Sequence, residues 1–120
     1  MPDYRKNKIH CENFRLEIEI TIELLSGKWI VLLLTNLAED KIVRFNEFRK
    51  NFPDITQKVL SQQLKKLEDY GIVQKEIYNE TPPKVEYRLT KIGEDLIPLL
   101  EQMHSWGEKY IQQRNKIKYT

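Results

Sequence analysis

The chain reads as a mostly helical α+β domain in which a helix-turn-helix pair runs directly into a β-hairpin, and three stretches of sequence carry that reading. Lys28 to Leu37 is apolar almost all round (Trp29, Ile30, Val31, Leu32, Leu33, Leu34, Leu37), the mark of a buried helix. Gln57 to Tyr70 has neither Gly nor Pro, with Thr56 placed to cap its start and Gly71 to stop its end. Lys84 to Leu89 alternates strictly, Val85, Tyr87 and Leu89 on one side and Lys84, Glu86 and Arg88 on the other, as a half-buried strand does.

The other elements follow in order. Glu12 to Leu25 alternates from Phe14 to Ile22 like a strand, but Phe14, Ile18, Ile22 and Leu25 also fit a helix, and Glu17, Glu19 and Glu23 favour helix. Ser26-Gly27 interrupts it and is placed to N-cap the buried helix. Asp40-Lys41 turns the chain and Val43-Arg44-Phe45 is a short extended piece. Asn46 is placed to cap a helix through Asn51, with Phe45 and Phe48 facing inward, and Pro53 ends it. Ile72 to Tyr78 reads as a strand, and Asn79 to Pro83 as the turn of the hairpin. Thr90 caps a last helix to about Arg114, Glu94 and Asp95 suit the positive end of its dipole, and Pro98 should kink it. This order is that of a winged helix-turn-helix.

A chain of 120 residues, 40% hydrophobic and 32% charged, suits one domain over 1–120, with a loose N-terminal tail at 1–10 and a basic C-terminal tail at 115–120. The longest apolar run, Trp29 to Leu34, is far short of the roughly 18 residues of a membrane span, and the charges from Asp3 to Lys8 do not fit a secretory signal. The expectation is a cytoplasmic protein with no membrane partner. Cys11 is the only cysteine, which rules out an internal disulfide. With His10 and His104 the only other soft ligands, neither a metal site nor a cofactor is expected. No Gly-rich phosphate loop, paired metal ligands or serine elbow occurs, and a His10-Cys11 pair lacks a third orienting group, so an enzyme is not expected.

Net charge is only +2, but its distribution is uneven. Glu12 to Gly27 holds four acids against Arg15, Lys41 to Lys75 holds eight bases against four acids, and Arg114, Lys116 and Lys118 follow Ile111 without an acid. A basic middle suits a polyanion, although a solvated face would look similar. On a helical wheel, Leu60, Leu64 and Leu67 fall on one side, with Val59 and Gln63 at the margin. Gln57, Lys58, Ser61, Gln62 and Lys65 fall opposite, in a run from Thr56 to Leu67 that contains no acid. Amides can bond adenine edges and lysines can reach guanine or phosphate, so these residues with Thr56 are the candidates to read double-stranded DNA. Arg44, Arg49, Lys50, Lys84 and Arg88 are candidate phosphate ligands, the last two on the wing. A winged-helix module that docks protein is the competing reading, disfavoured because protein interfaces are poor in lysine.

Taken in order, Leu25-Ser26-Gly27-Lys28-Trp29, Arg44-Phe45-Asn46-Glu47-Phe48, Leu60 to Ile72, Pro82 to Thr90, and Trp106-Gly107 resemble the HxlR-type family of bacterial, MarR-like winged-helix transcriptional regulators. The resemblance implies a homodimer on a palindromic operator, joined through the N-terminal helix and the long C-terminal helix. The residues agree: Phe14, Ile18 and Ile22 on the first helix and Leu99, Met103, Trp106 and Tyr110 on the last are more apolar surface than one small core needs. Several family members sense thiol-reactive compounds through an N-terminal cysteine, which makes Cys11 the candidate redox sensor; a small-molecule effector is the other kind of signal. Cys11 lies further upstream of Gly27-Lys28-Trp29 than the family pattern has it, and an inert thiol is the alternative.

Overall fold

The computed structural model describes residues 12–119, with side chains described over 15–116. The elements are α1 (Glu12–Leu25), α2 (Ile30–Asp40), β1 (Ile42–Arg44), α3 (Phe45–Asn51), α4 (Gln57–Asp69), β2 (Val73–Tyr78), β3 (Lys84–Leu89), α5 (Lys91–Glu94) and α6 (Ile97–Tyr119). The fold is a winged helix, mostly helical with one small antiparallel sheet. The expected tail at 1–10 and Cys11 lie outside the described residues.

The core forms where the all-apolar helix meets the leucine stripe. Ile30, Leu33, Leu34 and Leu37 of α2, Phe48 of α3 and Leu60, Leu64 and Leu67 of α4 are all fully buried. Each contributes about 1.5–3 kcal/mol by leaving water. Phe48 packs edge-to-face on Tyr87 at 6.0 Å, and Trp29 on Phe52 at 6.5 Å. The one buried polar residue among those described, Asn36, bridges two helices: its Nδ2 donates to Asp40 Oδ2 and its Oδ1 accepts from Asn51 Nδ2, both at 2.9 Å.

The sheet order is β1-β3-β2, so the strand that alternates most strictly lies in the middle, paired with β1 (Val43 opposite Tyr87) and β2 (Lys75 opposite Tyr87). The extended piece is Ile42–Arg44 rather than Val43 to Phe45. Phe45 begins α3, because Arg44 in extended conformation is its N-cap and the Glu47 carboxylate accepts from Arg44 N at 3.0 Å. Asn46 is therefore within the helix, not its cap. Ser26 does not cap α2 either: its hydroxyl donates back to Glu23 O at 2.8 Å, and Trp29 is the N-cap residue without a side-chain bond.

Both ends of α4 follow their sequence signals. Thr56 Oγ1 accepts from Val59 N at 3.1 Å. Gly71 takes φ +74, its N–H reaches Glu68 O, and the N–H of Ile72 reaches Leu67 O, both at 2.9 Å. That pair of bonds is the Schellman stop, and its left-handed residue favours glycine.

Thr90 caps as expected, accepting from Gly93 N at 3.2 Å, but the helix it caps is the single turn α5. The chain does not continue through Pro98 as one kinked helix; α6 restarts at Ile97, putting Pro98 in the first turn, where its missing N–H costs nothing. At its other end α6 runs past Arg114 to Tyr119, so most of the basic tail expected at 115–120 is helix.

The molecule is elongated. Its radius of gyration is 17.9 Å, against about 14 Å for a compact domain of this length. No helix among the described residues is long and apolar enough to cross a membrane.

Candidate nucleic-acid interface

Burial of Leu60, Leu64 and Leu67 fixes the rotation of α4, and with it the exposed face. Thr56, Gln57, Lys58, Ser61, Gln62 and Lys65 are all exposed, as one polar surface. Lys58 makes no ion pair among the described residues. Lys65 is less available: its Nζ lies 3.0 Å from Asp69 Oδ1 and 3.7 Å from Glu68 Oε1. The bond to Asp69 raises its pKa, as a cation held by two carboxylates must. Such an exposed pair is weak, so phosphate can compete for the ammonium.

The wing cations sit in an ionic row across the outer face of the sheet. Glu86, directly opposite Arg44 in the register, lies 3.9 Å from Arg44 Nε and 3.4 Å from Lys84 Nζ. Arg88 Nη2 lies 3.3 Å from Glu76 Oε2. The Tyr78 hydroxyl bonds Glu86, which raises the tyrosine pKa, and Lys84 Nζ rests 4.7 Å over the Tyr78 ring. Three of the five expected phosphate ligands are thus partly neutralised. Alternation along β3 put Glu86 beside Lys84 and Arg88 in the sequence, and that signal was readable. Arg49 and Lys50, in the last turn of α3, are exposed and make no ion pair among the described residues.

The apolar positions expected at an interface are exposed: Ile18 and Ile22 on α1, and Leu99, Met103, Trp106 and Tyr110 on α6. Trp106 stacks on Tyr110 at 5.3 Å and 11°, and the residue remains 66% exposed. The side chain of Phe14 and all of Cys11 lie outside the described residues.

Sequence reasoning put Val59 and Gln63 at the margin of the leucine stripe but missed that Lys66 and Tyr70 extend them into a third stripe on α4. Val59, Gln63, Lys66 and Tyr70 recur at helical spacing between the leucine stripe and the exposed polar face. Lys66 is half-buried, and its Nζ donates to Glu23 O at 2.9 Å and Ser26 O at 3.4 Å.

A family model described as HxlR-like helix-turn-helix matches residues 24–115. The uncharacterized HTH-type transcriptional regulator YdeP of Bacillus subtilis strain 168 is 46% identical over 100 residues, covering 83% of this chain and 77% of YdeP. The redox regulator HypR in its reduced form superposes with a TM-score of 0.76 at 42% identity, over 83% of this chain and 98% of HypR. The reduced transcriptional regulator YodB from B. subtilis superposes with a TM-score of 0.72 at 33% identity, over 85% of this chain and 95% of YodB.

Proposed function

The chain belongs to the HxlR-like helix-turn-helix family of transcriptional regulators, and from that membership we propose a homodimer that sets α4 of each protomer in the major groove of one half of a palindromic operator. The acid-free exposed face of α4 carries the proposal. Gln57 and Ser61, near the N-terminal end of the helix, read base edges. Lys58, Arg49 and Lys50 hold phosphates first, because they give up no ion pair among the described residues to do so. Lys65 and Arg88 follow, each released from an exposed carboxylate, and then Arg44 and Lys84, which share the largely covered Glu86. The exposed faces of α1 and α6 supply the dimer contact, and the elongated protomer is what a molecule built to embrace a second copy looks like.

The test is selection of bound duplexes from a random pool, repeated across a salt series. The expected result is a palindromic consensus, with log affinity falling against log salt by about 0.9 per phosphate contact. In the same assay Gln57→Ala costs about 1–3 kcal/mol on the consensus and little on random duplex. Equal loss on both would remove base reading by Gln57, and no enrichment at all would favour a protein-docking module.

HypR is named a redox regulator, and Cys11 is the only thiol in this chain. The redox reading assigns Cys11 one reaction: two thiolates, one per protomer, lose two electrons to an oxidant such as diamide and form an intersubunit disulfide. A non-reducing gel after diamide should show a dimer band that Cys11→Ser abolishes. A monomer band with unchanged DNA affinity would remove the role.

A further inference from the structure

We propose that Lys66 is a positioning residue that ties the recognition helix to the C-terminal end of α1 and thereby sets the separation of the two recognition helices in the dimer. The inference rests on the homodimer reading above.

α1 ends without a cation of its own in its last turn. The last carbonyls of a helix lack intrahelical donors and carry partial negative charge, so a cation from elsewhere is stabilised there. Lys66 supplies it from α4, 43 residues away in sequence, with one ammonium on Glu23 O and Ser26 O. The rest of the third stripe converges on the same corner. The Tyr70 hydroxyl bonds the Glu23 carboxylate, which raises the tyrosine pKa. Gln63 Oε1 lies 3.9 Å from where a side chain on Gly27 would begin.

Little else holds α1 to the domain. Among its described side chains only Leu24 is buried, Leu25 packs half-buried against the core beside it, and Leu16, Ile18, Ile20 and Ile22 are exposed. Its direction therefore depends on its last turn, and Lys66 grips that turn. Because α1 belongs to the dimer contact and α4 to the DNA contact, Lys66 connects the two. A phosphate role fits it poorly: it lies off the exposed polar face and is half-buried.

The experiment measures binding to the selected operator and to versions with the spacer between half-sites changed by one base pair, for the wild type, Lys66→Met and Lys66→Arg. Methionine keeps the half-buried stem and removes the donor; arginine restores a donor. Lys66→Met should lose about tenfold of the preference for the native spacer, the value of about 1.4 kcal/mol in one charge-assisted bond. Its affinity for an isolated half-site should be unchanged, and Lys66→Arg should recover the preference. Undiminished discrimination in Lys66→Met would overturn the proposal. So would an equal loss on every duplex with a shallower salt slope, which would make Lys66 a phosphate ligand.

A measurement without DNA separates the proposal from its premise. Nitroxides at Gln62→Cys in a Cys11→Ser background report the distance between recognition helices by pulsed dipolar spectroscopy. The distribution should be narrow in the parent and in Lys66→Arg, and broad in Lys66→Met. Equal widths would sink the positioning role while leaving the dimer intact. No dipolar signal in the parent would overturn the homodimer, and the proposal with it.

Discussion

Replacing Gly93 by alanine should destabilise the protein by about 3 kcal/mol, the upper end for overpacking, and lower Tm by roughly 10 °C. A methyl group there would sit 2.2 Å from Ile72 O and 3.2 Å from Leu89 Cδ2. The obstacle is backbone, and that backbone is already committed: Ile72 O accepts from Thr90 N at 3.0 Å and lies 3.2 Å from Thr90 Oγ1. Thr90 Oγ1 also donates to Gly71 O at 2.6 Å while accepting from Gly93 N. One threonine thus clasps the end of α4, the start of β2 and the start of α5. Gly71→Ala is the built-in comparison. Nothing lies within 4 Å of its added methyl, and the cost comes only from φ +74. That strain is worth about 1 kcal/mol. Thermal unfolding of both variants should rank Gly93→Ala well below Gly71→Ala; equal Tm values would mean that the close approach at Ile72 relaxes freely.

Trp106→Glu should give a folded monomer. Trp106 is mostly in solvent and, among the described residues, stacks only on Tyr110, so the protomer loses little. The proposed dimer contact would lose a large aromatic and gain a buried charge, and interface anchors of this kind carry about 2 kcal/mol or more each. The dimer dissociation constant should rise at least about thirtyfold. Operator affinity should fall further, by about a hundredfold or more, because two linked half-site contacts become two separate ones. Sedimentation at micromolar concentration checks the first effect, circular dichroism the fold, and operator binding the last. A variant that stays dimeric would take Trp106 out of the interface.

Local signals in the sequence translated directly into structure. Thr56, the uninterrupted run to Asp69 and Gly71 gave α4 to within one residue, and Lys84 to Leu89 matched β3 at both ends. The leucine stripe fixed which face of α4 is exposed. Misjudgements arose where a distant partner decided the outcome. Asn46 is as good an intrinsic cap as Arg44 is poor, yet Arg44 is held extended by β3 and the cap falls there. Pro98 was read against one long helix because the apolar spacing of Ile92, Leu96, Leu99 and Leu100 runs on across the break between Glu94 and Ile97. Lys66 drew no reading of its own, because its acceptors are backbone carbonyls at the end of another helix, which have no residue signature. The ionic row on the wing was the exception, since its acids and bases alternate along strands whose pairing the hairpin implied.

Pairing of β1 with β3 sets Ile42 against Arg88 and Arg44 against Glu86. Everything between those strands, α3, α4 and the rising arm of the wing, leaves the scaffold and rejoins it at neighbouring points, about 5 Å apart. A segment whose ends adjoin can be exchanged without stretching its host. α1, α2 and α6 remain outside the loop. On the proposed dimer, the architecture separates vocabulary from grammar: substitutions inside the loop would change which bases are recognised, while the frame that counts the distance between half-sites would be inherited intact. Lys66 is the stitch from loop to frame, and a transplanted loop lacking it would bring its own words and lose its host's punctuation.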